Sequence, residues 1–236
     1  MHRWTVQPLV EIARRLVDTA RRDLAEEGVR TVIAVDGRSG SGKSTLAARL
    51  ADHLPNAAVV HTDDVAWWES FFGWDELLVD GVLAPFVAGV AAGTAVSFTP
   101  PAWQRRGRVG AIEVPSTVST LIVEGVGASR QSLHTWLGAA VWVQSDVDIA
   151  RRRGIERDGG TEEAREFWDT WEAEEIPFLA ADQPWLRAHV IVCGTPECIG
   201  LAHDPATQAL VGIPKSNSPM DTSLAPTRRP PAAARA

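Results

Sequence analysis

The chain has 236 residues and a formal net charge of −7. Apolar residues make up 45% of it and charged residues 22%, a composition that fits a globular protein and excludes a disordered, fibrous or membrane-embedded chain. The acidic balance argues against nucleic acid as a partner, because domains that bind phosphate backbones carry a basic face. Two cysteines exclude a disulfide scaffold, and no signal peptide is recognisable, so a cytoplasmic location is expected.

Helical and strand patterns alternate along most of the chain. Apolar residues at a helical period predict an amino-terminal helix over residues 8–27. Short β-branched and apolar runs predict strands at 31–35, 57–61, 120–123, 139–143 and 189–193. Helical patterns lie at 43–54, 74–92, 147–157 and 161–181. This alternation predicts an α/β fold with a five-stranded parallel sheet flanked by helices.

Two segments stand apart from this alternation. Residues 81–104 carry no charge and are long enough to span a bilayer, but they are rich in Ala and Gly and contain three prolines, so we expect no membrane crossing. From residue 204 onward the chain is rich in proline and poor in large apolar residues. We therefore predict one folded domain over residues 1–203 and a disordered tail over residues 204–236.

The strongest motif is VDGRSGSGKST at residues 35–45, which fits the pattern G-x-x-x-x-G-K-[ST]. A predicted strand precedes it and a predicted helix follows, an arrangement that points backbone N–H groups at phosphate oxygens. Lys43 is expected to reach the β- and γ-phosphates of ATP, Ser44 to bind Mg²⁺ and Thr45 to lie at the α-phosphate. The predicted nucleotide-binding residues are Gly37, Ser39, Gly40, Ser41, Gly42, Lys43, Ser44 and Thr45.

Acidic residues follow two of the predicted strands. Asp63 and Asp64 come after the second strand, and Glu124 ends the third. Ligands bind at the carboxyl ends of strands in open α/β sheets, so these positions are candidates for chemistry. Asp63 is predicted to accept the proton of an attacking hydroxyl, and Glu124 to hold Mg²⁺ or its water. The structural alternative is that they are ordinary turn or cap residues.

The predicted helix at 147–157 carries Arg151, Arg152, Arg153 and Arg157 on two neighbouring faces. Guanidinium groups neutralise the charge that develops on a transferring phosphoryl group. The alternative is a solvated arginine face.

With these motifs the chain resembles the uridine kinase and phosphoribulokinase-type P-loop kinases, and it is similar to nicotinamide riboside kinases. The matching segments are IAVDGRSGSGKST, HTDD, LIVEG, VQSDVDIARRRGIERD and AHVIVCGTP. The resemblance implies a P-loop nucleoside triphosphate hydrolase fold with an inserted acceptor hairpin and an arginine-bearing lid. It also implies Asp63 as general base, Glu124 near the metal, and lid contacts to phosphate among Arg151, Arg153 and Arg157.

The acceptor side departs from that family, whose members read the base with a tyrosine and a histidine in the hairpin. This chain has no tyrosine. The matching residues 97–115 offer Trp103 for stacking and Arg105 for the polar edge of an acceptor. Asp64 and Trp68, close to the predicted base, complete the predicted acceptor-binding set, although packing in the core is the alternative for each tryptophan.

The sequence thus predicts ATP-dependent phosphoryl transfer to a hydroxyl of a small molecule, with a nucleoside as the best match. Two alternatives stay open: a kinase for a non-nucleoside acceptor such as an antibiotic or sugar, and an ATP-binding regulatory protein with little turnover. It also stays open whether the amino-terminal helix packs on its own domain or in a homodimer.

Overall fold

The computed structural model describes residues 3–22, 30–89 and 93–213. Within these ranges the strands are β1 Arg3–Pro8, β2 Thr31–Gly37, β3 Ala57–His61, β4 Val96–Phe98, β5 Ile112–Val114, β6 Thr120–Glu124, β7 Ala139–Gln144, β8 Val190–Cys193 and β9 Gln208–Ile213. The α-helices are α1 Leu9–Arg21, α2 Lys43–Asp52, α3 Thr62–Ala66, α4 Asp75–Leu78, α5 Ala84–Ala88, α6 Pro101–Arg106, α7 Val147–Arg157 and α8 Glu162–Asp182.

Seven of the described strands form one sheet in the order β1-β9-β8-β7-β2-β6-β3. The members from β8 to β3 are parallel. Strand β9 pairs antiparallel with β8, and β1 pairs antiparallel with β9. The central strand β2 is buried along its whole length, as expected for an apolar run covered on both faces. The α/β fold with a mostly parallel sheet is confirmed, but the sheet has seven described strands rather than five.

Strand β9 corrects the predicted domain boundary. Residues 208–213 pair with both β8 and β1, so they belong to the fold and not to a tail. Their short apolar core, with Ala209, Leu210 and Val211 buried, completes the sheet. The surrounding prolines concealed this run in the sequence, because the composition of the whole segment is that of a disordered chain. The remainder of the predicted tail, residues 214–236, lies outside the described residues.

The amino-terminal helix packs on its own domain. Its apolar side chains, among them Ile12 and Leu16, share a core cluster with β2, β7 and α2. Residues 23–27 of the predicted helix lie outside the described residues, and α1 ends at Arg21.

The other face of the sheet is covered by a second core cluster. The helix predicted over residues 74–92 is divided here into α4, a π-helical turn at Val79–Leu83 and α5, while residues 90–92 lie outside the described part. Strands β4 and β5 form the antiparallel hairpin that the resemblance implies, with α6 inserted between them. No helix in the described ranges combines the length and apolarity needed to span a bilayer.

Helices α7 and α8 begin at side-chain caps. The Asp146 carboxylate accepts from the N–H of Ile149, and the Thr161 hydroxyl accepts from the N–H of Ala164. Such caps satisfy N–H groups that have no partner within the helix. They fix the start of α7, which carries the predicted lid arginines, and the start of α8, which follows it.

Candidate active site

The glycine-rich motif lies between β2 and α2, as the sequence predicts. Gly40 and Gly42 have φ values of +73° and +93°, the left-handed region that glycine adopts without strain. A Cβ on Gly40 would lie 2.0 Å from the carbonyl oxygen of Ala150 in α7. Gly37 is close to extended, and its constraint is space, since a Cβ there would lie 2.8 Å from the carbonyl oxygen of Val143. The loop therefore packs tightly against β7 and α7.

Asp36 anchors the first residue of this loop. Its Oδ1 accepts hydrogen bonds from the N–H groups of Gly37 (2.7 Å) and Gly127 (2.9 Å). Its Oδ2 accepts from the N–H (2.9 Å) and the hydroxyl (2.8 Å) of Ser129. Burial raises the pKa of Asp36, and these hydrogen bonds oppose the rise. The Asp36 carboxyl group thus links the start of the glycine-rich motif at residues 35–45, which we call the phosphate loop, to the segment after β6.

Glu124, at the end of β6, is the centre of a polar cluster beside the loop. Its Oε1 accepts a hydrogen bond from the Ser44 hydroxyl (3.0 Å) and lies 4.0 Å from Lys43 Nζ. Its Oε2 lies 2.5 Å from Nδ1 of His61. Lys43 Nζ also donates to the carbonyl of Arg38 (3.4 Å). The structure thus brings Glu124 of β6 together with Lys43 and Ser44 at the start of α2.

The charges in this cluster suit a divalent cation. Burial alone would raise the pKa of Glu124, but the hydrogen bond from His61 and the charge of Lys43 outweigh it and lower that pKa. The same hydrogen bond raises the pKa of His61. A hydroxyl and a charged carboxylate are oxygen ligands of the kind Mg²⁺ takes, so Ser44 and Glu124 fit this ion.

Within the described ranges no group of three or more His, Cys, Asp or Glu side chains is placed to hold a metal. Mg²⁺ in nucleotide sites is usually bound by one or two carboxylates together with phosphate oxygens and water. The cluster at Glu124 therefore fits an ion that arrives with a nucleotide.

Asp63 lies on α3, directly after β3, and its side chain opens into a cavity of about 500 Å³. Desolvation by the surrounding protein raises the pKa of Asp63, and the charge of Lys43 is the largest effect opposing that rise. The same cavity reaches Ser39 of the phosphate loop and Arg157 of α7. A solvent-accessible carboxylate of raised pKa is thus placed between the glycine-rich loop and a half-open cavity.

Seven of the fifteen residues that line this space are aromatic, and we call it the aromatic cavity. One group comes from the segment between α3 and α4, and the other from α8. They are Trp67, Trp68, Phe71, Trp74, Phe167, Trp168 and Trp171. Of these seven residues, only Trp68 is among the acceptor contacts that the sequence predicts, because core packing is the usual role of an aromatic side chain.

Of the predicted lid arginines, Arg157 lines the aromatic cavity. Its Nε donates to Oδ1 of Asp158 (2.8 Å), and Oδ2 of Asp158 accepts from Nε1 of Trp168 (2.8 Å). This chain of hydrogen bonds orients the guanidinium at the end of α7.

The other two arginines lie elsewhere. Arg151 forms ion pairs with Glu172 and Asp169 on α8, so it joins the two helices. Arg153 donates to the carbonyl of Gly194 (2.8 Å) and pairs with Glu197. That Arg153 is a catalytic lid arginine in contact with phosphate stays a prediction; its side chain turns to the segment after β8.

Arg153 instead lines a second space of about 240 Å³, which we call the small cavity. Loop residues Ser41, Gly42 and Thr45 form part of its wall. Gln208 at the start of β9 also contributes, so the segment expected to be a tail helps to enclose this space.

Three predicted acceptor contacts do not line the aromatic cavity. Trp103 is only 4% exposed, and its Nε1 donates to the backbone carbonyl of Asp64 (2.8 Å). The Asp64 carboxylate pairs with Arg108 (2.8 Å). Arg105 pairs with Glu69 (3.0 Å), with 61% of its own side chain exposed. Helix α6 causes the difference, since it turns Trp103 inward and Arg105 outward where a plain hairpin was expected.

The sequence also gave no indication of Glu175. This α8 residue is 1% exposed. Its Oε1 accepts from the N–H of Ser39 (2.7 Å), and its Oε2 pairs with Arg38 (3.1 Å). A glutamate in an acidic helix carries no signal of such a contact, which only the packing of α8 on the phosphate loop creates.

Comparison with known proteins adds structural neighbours. No protein family and no curated protein matches the chain. A possible uridine kinase from Bacillus stearothermophilus is 22% identical over 77% of this chain and 98% of that chain, with a TM-score of 0.43. The YGR205w protein is 12% identical over 79% and 93%, with a TM-score of 0.49. A third neighbour, TT1252 from Thermus thermophilus, is 18% identical over 70% and 88%, with a TM-score of 0.40.

Proposed function

We propose that this protein is an ATP-dependent kinase that transfers the γ-phosphoryl group to a hydroxyl of a small, nucleoside-like molecule. The observation that carries this proposal is the placement of Asp63. Its carboxylate opens into an aromatic-walled cavity that also reaches Ser39 of the phosphate loop and Arg157. Phosphoryl transfer to an alcohol needs such a carboxylate within reach of both the nucleotide and the acceptor.

The phosphate loop and its neighbours would bind the triphosphate. Backbone N–H groups of the loop bind phosphate oxygens, and Lys43 neutralises charge on the β- and γ-phosphates. Ser44 and Glu124 would hold Mg²⁺, which when bound supplies further neutralisation of the phosphate charge. His61 keeps the Glu124 carboxylate in place through their 2.5 Å contact.

In the transfer step the acceptor oxygen forms a bond to the γ-phosphorus. The bond from that phosphorus to the β,γ-bridging oxygen breaks, and ADP leaves. The hydroxyl proton goes to Asp63, whose raised pKa makes it a better proton acceptor than an ordinary aspartate. Arg157 stabilises the charge on the transferring group, because its guanidinium lies at the same cavity.

The nucleoside-like acceptor is supported by the cavity walls. Tryptophan and phenylalanine rings offer flat apolar faces, which suit the flat ring of a base better than a compact polyol. An ATP-binding regulator with little turnover would use neither this cavity nor a proton acceptor inside it.

The test measures ADP release from ATP and Mg²⁺ across nucleosides, sugars and hydroxylated antibiotics, with the product identified by mass. Asp63→Asn should lower kcat by about 10²–10⁴, the usual contribution of a general base, while ATP binding is retained. Asp52→Asn, an exposed acid at the end of α2, is the matched control and should leave kcat unchanged.

Full activity of Asp63→Asn would remove Asp63 from the mechanism. ATP hydrolysis that no compound stimulates, with no phosphorylated product, would favour the regulatory alternative.

A further inference from the structure

Four side chains in contact form a column that runs from the hairpin to the aromatic cavity. The Arg108 guanidinium carbon lies 3.3 Å from the ring centroid of Trp103 and 3.9 Å from that of Trp67. The rings of Trp67 and Trp68 stack at 4.3 Å with an angle of 13° between their planes. Trp67 thus lies between Arg108 and Trp68, and we call the four residues the tryptophan column.

The column has a fixed base and an open end. At the base, Trp103 is buried and hydrogen-bonded, and Arg108 pairs with the Asp64 carboxylate. At the other end, Trp68 is 43% exposed and lines the aromatic cavity. The guanidinium carbon of Arg106 lies 5.7 Å from its ring centroid. Residues from the hairpin therefore hold a tryptophan ring at the cavity without lining the cavity themselves.

The backbone of Trp68 is strained. Its φ is +64°, in the left-handed region that side chains other than those of Gly, Asn and Asp rarely adopt. A bulky residue in that region, with a large apolar ring in contact with solvent, is unfavourable for stability on both counts. Strain of this kind concentrates at ligand-binding positions, where it sets the geometry in advance.

The facing wall also presents exposed aromatic surface. Phe167 on α8 lines the same cavity and is 52% exposed. Apart from Asp63, the charged groups that line the cavity already have partners, because Asp158 pairs with Arg157 and Glu69 pairs with Arg105. Reading the edge of a ring requires free hydrogen-bonding groups, whereas stacking uses only its face.

We propose that the acceptor stacks on Trp68, and that it is a hydroxyl compound with a flat conjugated ring, selected by the face of that ring and not by its edge. This inference rests on the proposed function and narrows its acceptor class. Trp68 and Phe167 determine specificity, whereas Trp103 and Arg108 are positioning residues that act through Trp67.

The first experiment compares kcat/KM between two pairs of acceptors, the members of each pair differing in one property of the ring. Uridine and cytidine differ at the edge of the ring, so their kcat/KM values should agree within about tenfold, whereas edge reading would separate them by about 10⁴ or more. Uridine and 5,6-dihydrouridine share an edge, but the second ring is not flat. Dihydrouridine should be poorer by about 10–100-fold, the range expected for loss of stacking.

The second experiment changes Trp68. Trp68→Gly should lower kcat/KM for uridine by about 10–100-fold with the KM for ATP unchanged, and Trp68→Phe should restore most of the loss. Glycine suits the left-handed backbone, so Trp68→Gly should melt at least as high as Trp68→Ala. A purely structural role would instead lower stability without separating flat from non-flat acceptors. Leu186→Ala, at an exposed apolar residue away from the cavity, is the control.

Three results would overturn the inference: equal transfer to ribose and uridine, strong discrimination between uridine and cytidine, or a change of oligomeric mass in Trp68→Gly with acceptor kinetics intact. Calorimetry of uridine and ribose binding without ATP separates the two proposals. Binding of uridine that Trp68→Gly abolishes, with no transfer by the wild-type protein, would leave the stacking site standing and refute the kinase activity.

Discussion

The aromatic cavity and the small cavity both reach the phosphate loop, but they are built in different ways. The small cavity, of about 240 Å³, is lined by loop residues and by the segments around β8 and β9. The aromatic cavity, of about 500 Å³, is walled by side chains from α8 and from the segment between α3 and α4. In the proposed kinase, phosphate would be held by backbone groups that serve any nucleotide, whereas the choice of acceptor would depend on side chains, so the two properties could change independently.

One contact joins the two regions. Glu175 lies on α8, the helix that carries one aromatic wall, and it accepts the N–H of Ser39 in the phosphate loop while pairing with Arg38. Removing one partner of a buried ion pair leaves an uncompensated charge, so this contact resists separation. The aromatic wall on α8 is therefore held at a fixed place relative to the phosphate loop.

The largest expected effect is a loss of kcat in Lys43→Met that leaves binding in the aromatic cavity unchanged. This change removes the positive charge beside Glu124 and should lower kcat by about 10²–10³, the loss typical of one preorganised electrostatic contact. Uridine binding without ATP should stay within about twofold, because Lys43 does not line the aromatic cavity and the stacking contact is retained. Calorimetry and steady-state kinetics on the same protein measure both quantities.

The control for this variant is Arg152→Met, at an exposed arginine of α7, which should change neither quantity. Loss of uridine binding in step with kcat would show that the phosphate loop and the aromatic cavity act as one unit.

A smaller effect is expected in the pH dependence of kcat/KM. This dependence reports on Asp63, which lines the aromatic cavity and is influenced by the charge of Lys43. Asp63 must be unprotonated to accept a proton, so kcat/KM should fall about tenfold per pH unit below its pKa and stay level above it. Because desolvation raises that pKa, the fall should begin above the ordinary aspartate value of 3.8. Lys43 lowers the pKa of Asp63, so in Lys43→Met the acid limb should move to higher pH.

The residual activity of Asp63→Asn should lack this limb altogether. An acid limb that is unchanged in both variants would assign the titration to another group.

The contrast between the phosphate loop and the aromatic cavity also explains which features could be predicted from the sequence. The phosphate loop depends on glycines at fixed spacing between a strand and a helix, so the pattern located Gly40, Gly42 and Lys43 directly. Asp63 and Glu124 followed from the rule that parallel strands end at one edge of a sheet. Each of these inferences needs only local sequence and the direction of the strands.

The lining of the aromatic cavity was predicted less well because it depends on packing between distant segments. Trp103 and Trp68 look alike in the sequence, yet one is buried beneath Arg108 and the other lines the cavity. Nothing local distinguishes them, since the difference arises from α6 folding inside the hairpin. Phe167 was missed for the same reason, because its contact depends on where α8 crosses the domain.

The smallest effect is expected from Arg105→Ala, which asks whether the hairpin reads the acceptor or only supports it. Arg105 is largely exposed and pairs with Glu69, and exposed pairs contribute at most about 1 kcal/mol, so kcat/KM should change by less than about twofold. Arg108→Met, from the same hairpin, removes the guanidinium between Trp67 and Trp103 and should lower kcat/KM for uridine by about tenfold. The reverse order of effects would mean that the hairpin contacts the acceptor through Arg105, because a supporting role predicts a loss only where the tryptophan column is broken.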